Sequence, residues 1–311
     1  MRILVTGGAG FIGSHLVEAL LPHHEVHVLD NLSTGFRTNL PSAVPLYAID
    51  LRDEAALQAH FARHTYEVVY HLAAQVDVRT SVETPVEDAR INIIGTLNLL
   101  QAVRPQGSWV IFASTGGAIY GEVPTLPVVE THPPHPESPY AIAKLAGELY
   151  LKHYGTAHGL PYTILRLANV YGPRQNPFGE AGVVAIFTHR LLQGETPHIY
   201  GDGEQTRDFV YVGDVVRAFL AVLEAPQATQ GQIFNVGTGQ ETSVNQLYRA
   251  LTQLIGVPTS PLYKPPKAGE LRHNALAWGA LHKATGWQPT VSLAEGLRHT
   301  VEAFRQSLHL Y

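Results

Sequence analysis

"VTGGAGFIG", running from Val5 to Gly13, decides the fold. An apolar, β-branched run, Arg2–Thr6, leads into it, and a segment of helical periodicity, Ile12–Leu21, leads out. Strand, glycine turn and helix in that order bring a pyrophosphate against backbone N–H groups at the positive end of the helix. Gly7, Gly10 and Gly13 let the chain turn sharply and let the ligand come close. Asp30 closes the next predicted strand, Glu25–Leu29, where a carboxylate can hold the hydroxyls of an adenosine ribose. It would repel a 2′-phosphate, and the first arginine downstream is Arg37, so the pattern favours NAD over NADP.

The alternation continues downstream. Strands are predicted at Leu46–Ile49, Val68–His71, Trp109–Ala113 and Tyr162–Arg166, with helices at Glu54–Arg63, Pro85–Ala102 and Pro139–Tyr154. That order gives parallel strands joined by crossover helices. The expected class is α/β: a Rossmann-type doubly wound parallel sheet of six such strands, with a smaller, mostly C-terminal α/β substrate domain. From about Asn169 the regularity ends, and Pro and Gly punctuate "YGPRQNPFGEAG" and "GETPHIYGDGEQTRD". Residues 1–168 are expected to form the dinucleotide-binding domain. Residues 214–238, with a helix at Asp214–Leu223 and a strand at Ile233–Val236, return to it. Residues 169–213 and 239–311 form the substrate-binding domain. Ser243 and Gln246 have capping-box spacing ahead of a helix from Val244, and Ser292 with Glu295 opens a C-terminal helix in the same way.

The 311 residues carry a net charge of -5, which gives the whole chain no attraction for nucleic acid or anionic lipid. No apolar stretch is long enough to span a membrane, and cysteine is absent, so the expected location is cytoplasmic, with no nucleic-acid or membrane partner. No metal is expected. The 17 histidines include no HExxH, and His132 and His135 sit in a proline-rich loop without an evident third ligand.

"SPYAIAK", residues 138–144, carries the candidate chemistry. Tyr140 and Lys144 are four apart on one helix face, with Ser138 as N-cap and Pro139 at the first helical position. A phenol with a pKa of about 10 is a poor base near neutrality, and an adjacent ammonium favours its phenolate. Thr115, just beyond a buried strand, can hydrogen-bond a substrate oxygen and share a proton with Tyr140, with Ser114 the competing hydroxyl. Gly116 and Gly117 follow and supply neither acid nor base.

These segments, with "DNLSTG" at 30–35, "YHLAAQ" at 70–75, "NIIGTLNLL" at 92–100, "RLANVYGPRQ" at 166–175 and "GDGEQTRDFVYVGD" at 201–214, resemble the extended short-chain dehydrogenase/reductase family of nucleotide-sugar enzymes. The resemblance implies NAD as cofactor, held by Gly7, Gly10, Phe11, Ile12, Gly13, Asp30, Asn31, Asp50, Leu51, Leu72, Ala73 and Ala74 together with Tyr140 and Lys144. It implies Thr115, Tyr140 and Lys144 as catalytic residues. In the family's dehydratases an Asp-Glu pair usually follows the catalytic hydroxyl, and the double glycine here points instead to the 4-epimerase branch. The implied reaction is NAD-dependent epimerisation at C4 of a UDP-hexose through a 4-keto sugar. Ile119-Tyr120-Gly121 sits one position further from the hydroxyl than in the commonest epimerase form.

For the UDP-sugar, the resemblance points to Asn169, Arg207, Lys267, Glu270 and Ala275. Lys267 stands where an arginine is usual, so a bidentate phosphate clamp is lost there. Small Ala275 would admit an N-acetyl group at C2. Relatives pair through helices matching Pro85–Ala102 and Pro139–Tyr154, so a homodimer is expected. The alternatives are a UDP-glucuronate 4-epimerase, another nucleotide-sugar epimerase or reductase, and, from a different class, a non-catalytic NAD-sensing protein.

Overall fold

The computed structural model describes residues 1–178, 182–266 and 271–308. The first half follows the predicted alternation: β1 (Arg2–Thr6), α1 (Phe11–Leu20), β2 (Glu25–Leu29), β3 (Leu46–Tyr47), α2 (Glu54–Phe61) and β4 (Val68–His71). Next come α3 (Val78–Glu83), α4 (Pro85–Ala89), α5 (Gly95–Val103), β5 (Trp109–Thr115), the short helical turn α6 (Gly116–Ile119), α7 (Pro139–His158) and β6 (Tyr162–Leu167). The main sheet has seven strands, not six. Strand Gln232–Val236 pairs in parallel with β6, and the order from it is β6, β5, β4, β1, β2, β3.

Alternation along the strands sorts the core into two layers. Ile3 and Val5 face one layer with Leu16, Val17 and the helix Val212–Glu224, whereas Leu4 faces the other with Leu57, Leu99 and Leu151. Strands buried on both faces read as continuous apolar runs, which is why the parallel sheet was visible in the sequence. A third apolar cluster gathers Tyr171, Phe187, Phe209, Leu247, Tyr248 and Val301. The capping box of Ser243 and Gln246 forms in both directions, and Ser292 Oγ accepts the Glu295 N–H at 3.3 Å. No described helix is long and apolar enough to cross a membrane.

The helix predicted over Pro85–Ala102 forms, running without interruption from Pro85 to Val103, with one wider turn inside it. Between α4 and α5, Arg90–Ile94 forms one π-helical turn. The Asn92 side chain lies in this turn, accepting the Gln75 N–H at 3.0 Å and donating to the Gln75 carbonyl at 2.9 Å. A wider turn whose side chain binds a distant loop is a feature that local periodicity cannot reveal.

Candidate active site

The glycine turn leaves β1 with Gly7 at a φ of +69° and enters α1 through Gly10 as N-cap. The protein itself needs two of these glycines: a Cβ on Gly7 would lie 2.7 Å from the Ala73 nitrogen, and one on Gly13 would lie 2.2 Å from the Gly7 oxygen. Gly10 is different. Its only close neighbour would be the Gly7 oxygen at 3.2 Å, so the space a side chain would fill lies at the α1 N-terminus, where a pyrophosphate must approach. Phe11 and Ile12 begin α1 and are half-buried.

Asp30 is buried, and its two oxygens accept the Ala9 N–H at 3.0 Å and the Leu32 N–H at 2.8 Å. These bonds fix its carboxylate beside the glycine turn. Asn31 donates to Asp50 at 2.8 Å, and the Arg52 guanidinium holds the Asp50 carboxyl well below the usual carboxylate range. Leu51 is buried next to it, and Leu72, Ala73 and Ala74 line the exit from β4. All of these positions follow the C-terminal ends of β1 to β4, the side on which doubly wound sheets bind ligands. Arg37 is committed elsewhere: its guanidinium donates to the carbonyls of Pro41, Ser42 and Val44 at 3.1, 2.7 and 3.3 Å.

Behind this cradle runs a buried hydrogen-bond chain. Thr96 donates to the Asn92 carbonyl at 2.8 Å, so it must accept from His71 Nε2 at 3.0 Å. That assigns the His71 proton to Nε2 and makes Nδ1 the acceptor for Thr6 Oγ1 at 2.9 Å, while Thr6 accepts the Ala73 N–H at 3.3 Å. Burial pushes the His71 imidazole down to about 3, so it stays neutral. The chain ties the end of β1 to the π-turn.

Ser138 caps α7, accepting the Ala141 N–H at 3.2 Å, and Pro139 takes the first helical position. Tyr140, half-buried one residue on, lies close enough to the Thr115 side chain for that hydroxyl to favour its phenolate. Lys144 is 4% exposed. It donates to the Ala113 carbonyl at 3.0 Å, with its Nζ 4.9 Å from the Phe112 ring centroid and 6.0 Å from that of Tyr140. Burial pushes the Tyr140 phenol up to about 12, against the lowering effect of Thr115, and pushes the Lys144 ammonium down to about 8. At neutral pH the pair is therefore phenol and ammonium.

The structure separates the two candidate hydroxyls. Ser114 and Thr115 end β5 and point in opposite senses. Ser114 donates at 2.6 Å to Glu148, which is paired with Arg166 at 2.9 and 2.6 Å, all three being buried. Of the two hydroxyls, Thr115 is the one that acts on the Tyr140 phenol. The two glycines differ as well. A Cβ on Gly116 would strike Leu276 at 2.3 Å, whereas one on Gly117 would stand 3.2 Å from Asn169 Oδ1 and 3.8 Å from Thr115 Oγ1. Only the second position opens into the site. Gly116–Ile119 forms the helical turn α6, and Tyr120 after it is anchored to Arg166 and Asn235, both at 2.8 Å.

On the substrate side, Asn169 begins a short strand, and its Oδ1 is buried without a hydrogen-bond partner. Arg207 donates to the Thr206 and Leu271 carbonyls at 2.7 and 2.8 Å. Lys267 and Glu270 lie outside the described residues. Ala275 is buried, but its neighbours make the contacts with the glycine turn: Asn274 donates to the Gly116 carbonyl at 3.2 Å, and Leu276 packs on Gly116. Sequence reasoning missed Asn274, as it missed Glu148, Arg166 and buried Asp208. Asp208 accepts from Thr238 (N–H and hydroxyl), Gly239 and Leu276 and joins three segments. The available signal was a polar residue inside an apolar run, which marks a buried partner without naming it.

The model of the NAD dependent epimerase/dehydratase family matches residues 3–237. The UDP-glucose 4-epimerase of Mycolicibacterium smegmatis is 48% identical over 312 residues, covering 98% of this chain and 99% of that protein. The crystal structure of the Thermotoga maritima UDP-glucose 4-epimerase with UDP-glucose superposes with a TM-score of 0.96 at 51% identity, covering 99% of this chain and 100% of that one. That of the Thermus thermophilus UDP-glucose 4-epimerase complex with NAD gives 0.92 at 48%, covering 98% and 99%. Likeness of this extent, over a sheet and glycine cradle of the kind just described, places the chain in the NAD dependent epimerase/dehydratase family.

Proposed function

We propose that the protein interconverts UDP-glucose and UDP-galactose as an NAD-dependent 4-epimerase. The observation that carries this reading is the Tyr140 phenol set beside the Thr115 side chain, with Lys144 one turn on and a Gly117 that supplies neither acid nor base. The residues named above, with Asp30, would hold NAD over the glycine turn, where it would supply reversible hydride chemistry at C4. Tyr140 takes the proton of the C4 hydroxyl and gives it back, and Thr115 holds the same oxygen. Lys144 supplies positive charge that favours the phenolate. Asn169 and Arg207 bind the diphosphate side, with Lys267 and Glu270 as further candidates. The cofactor belongs to residues 1–168 and 214–238, and the sugar nucleotide to 169–213 and 239–311.

With UDP-glucose and no added cofactor, the purified protein should form UDP-galactose without net change in NADH, as read by separating the nucleotide sugars. Net consumption of NADH would instead identify a reductase, and turnover confined to UDP-glucuronate would move the substrate. The small residue at 275 supports acceptance of UDP-N-acetylglucosamine, and the same panel tests it. Absence of all turnover would favour the NAD-sensing alternative, which the intact Thr115, Tyr140 and Lys144 set argues against.

We also propose a homodimer. Val82, Val86, Ile94, Ile142, Leu149 and Tyr150 are exposed on α3, the π-turn neighbourhood and α7, which pack together. Adjacent exposed apolar side chains of this kind mark an association surface. Leu149→Arg should convert a dimer to a monomer in sedimentation, and a parent protein that already sediments as a monomer would overturn the assignment.

A further inference from the structure

Of the buried acids that the mechanism does not use, Asp88 is the one with an unpartnered carboxylate oxygen among the described residues. Asp88 sits near the end of α4, at 2% exposure, where α4 and the π-turn pack against α7. One of its oxygens, Oδ1, accepts from Gln75 Nε2 and Asn92 Nδ2, each at 2.9 Å. Its other oxygen, Oδ2, is buried with no hydrogen-bond partner. A carboxylate taken out of water without full hydrogen bonding needs a compensating positive charge.

We propose that Asp88 is a positioning residue whose carboxylate is the counter-charge of Lys144 across the α4–α7 contact. Elimination among the described groups around Lys144 supports this. Glu148, on the same helix, is committed to Arg166 and Ser114. His71, facing the lysine from β4, is neutral in the hydrogen-bond chain derived above, and Tyr140 is a phenol at neutral pH. On the other side, the arginines near α4 are engaged, because Arg52 and Arg90 both pair with Glu87. Burial pushes the Asp88 carboxyl up and the Lys144 ammonium down, and each charge opposes the other's shift; on Lys144, Asp88 acts more strongly than Glu148, which acts in the same sense. The π-turn serves this pairing, since Asn92 within it donates to Asp88.

The test reads Lys144 directly. Its kinetic consequence rests on the function proposed above, but the titration does not. The full-length protein labelled with lysine carrying 13C at Cε contains only Lys144, Lys152, Lys264, Lys267 and Lys283, and a Lys144→Met sample assigns the resonance. Asp88→Asn keeps an acceptor for Gln75 and Asn92 while removing the charge. Loss of a negative neighbour disfavours the ammonium, so the Lys144 midpoint should fall by about one pH unit, a roughly tenfold change in the ammonium-to-amine ratio. Asp88→Glu should restore it to near the parent value, and the alkaline limb of the kcat–pH profile should move with it. If Asp88→Asn does not fold, Asp88→Ser carries the same expectation. A Lys144 midpoint unchanged in the charge-removing variant overturns the proposal, as does a loss of activity by the same factor at every pH.

Discussion

Tyr140→Phe will lower kcat on UDP-glucose by roughly three orders of magnitude, the scale of a lost general acid–base group, and will leave NAD bound. The ring is half-buried at the start of α7 and keeps its packing when only the hydroxyl is removed. Loss of one hydroxyl's hydrogen bonding costs about 1 kcal/mol of stability, which does not unfold the protein. The proton acceptor is gone, however, and no neighbouring residue replaces it. Ser114 faces away into its bond with Glu148, and Gly117 has no side chain. Turnover and the nucleotide released on denaturation can be measured on the same sample. Retention of more than a tenth of the parent kcat, with NAD present, would exclude Tyr140 as the base.

The residues that allow this prediction were legible because local rules fix them. Ser138 as N-cap, Pro139 at the first position and the four-residue spacing of Tyr140 and Lys144 belong to one helix start and need no distant partner. The glycine turn and the strands of the main sheet were readable for the same reason, since a strand buried on both faces announces itself by composition. What failed to show was whatever depends on contacts far apart in sequence. The π-turn holds Asn92 against Gln75, a contact that no helical periodicity reports. Whether Ser114 or Thr115 faces the site depends on how far β5 runs, and it runs two residues beyond its apolar stretch to Thr115. Asn274 reaches Gly116 from the other end of the chain. The seventh strand was read as returning to the first domain, but nothing in its own residues counted it into the sheet.

The buried ion pair behind the site gives the second large effect. Glu148→Ala will destabilise the fold by roughly 3–5 kcal/mol, because it leaves the Arg166 guanidinium, 3% exposed, without its bidentate partner in a space that water cannot reach. A loss of that size corresponds to a fall in Tm on the order of 10 °C for a chain this long. The damage should extend to the turn that carries Thr115. Arg166 also donates to the Tyr120 hydroxyl, Tyr120 donates to Asn235, and Ser114 loses its acceptor. The double variant Glu148→Met with Arg166→Met removes both charges at similar volume and should recover most of the stability, since two paired charges in a core are often matched by apolar packing. Thermal unfolding of the three proteins decides the point. A single variant within 1 kcal/mol of the parent would mean that water reaches Arg166. A double variant no more stable than Glu148→Ala would mean that the hydrogen bonds to Ser114 and Tyr120, rather than the ion pair, hold the end of β5 against α7.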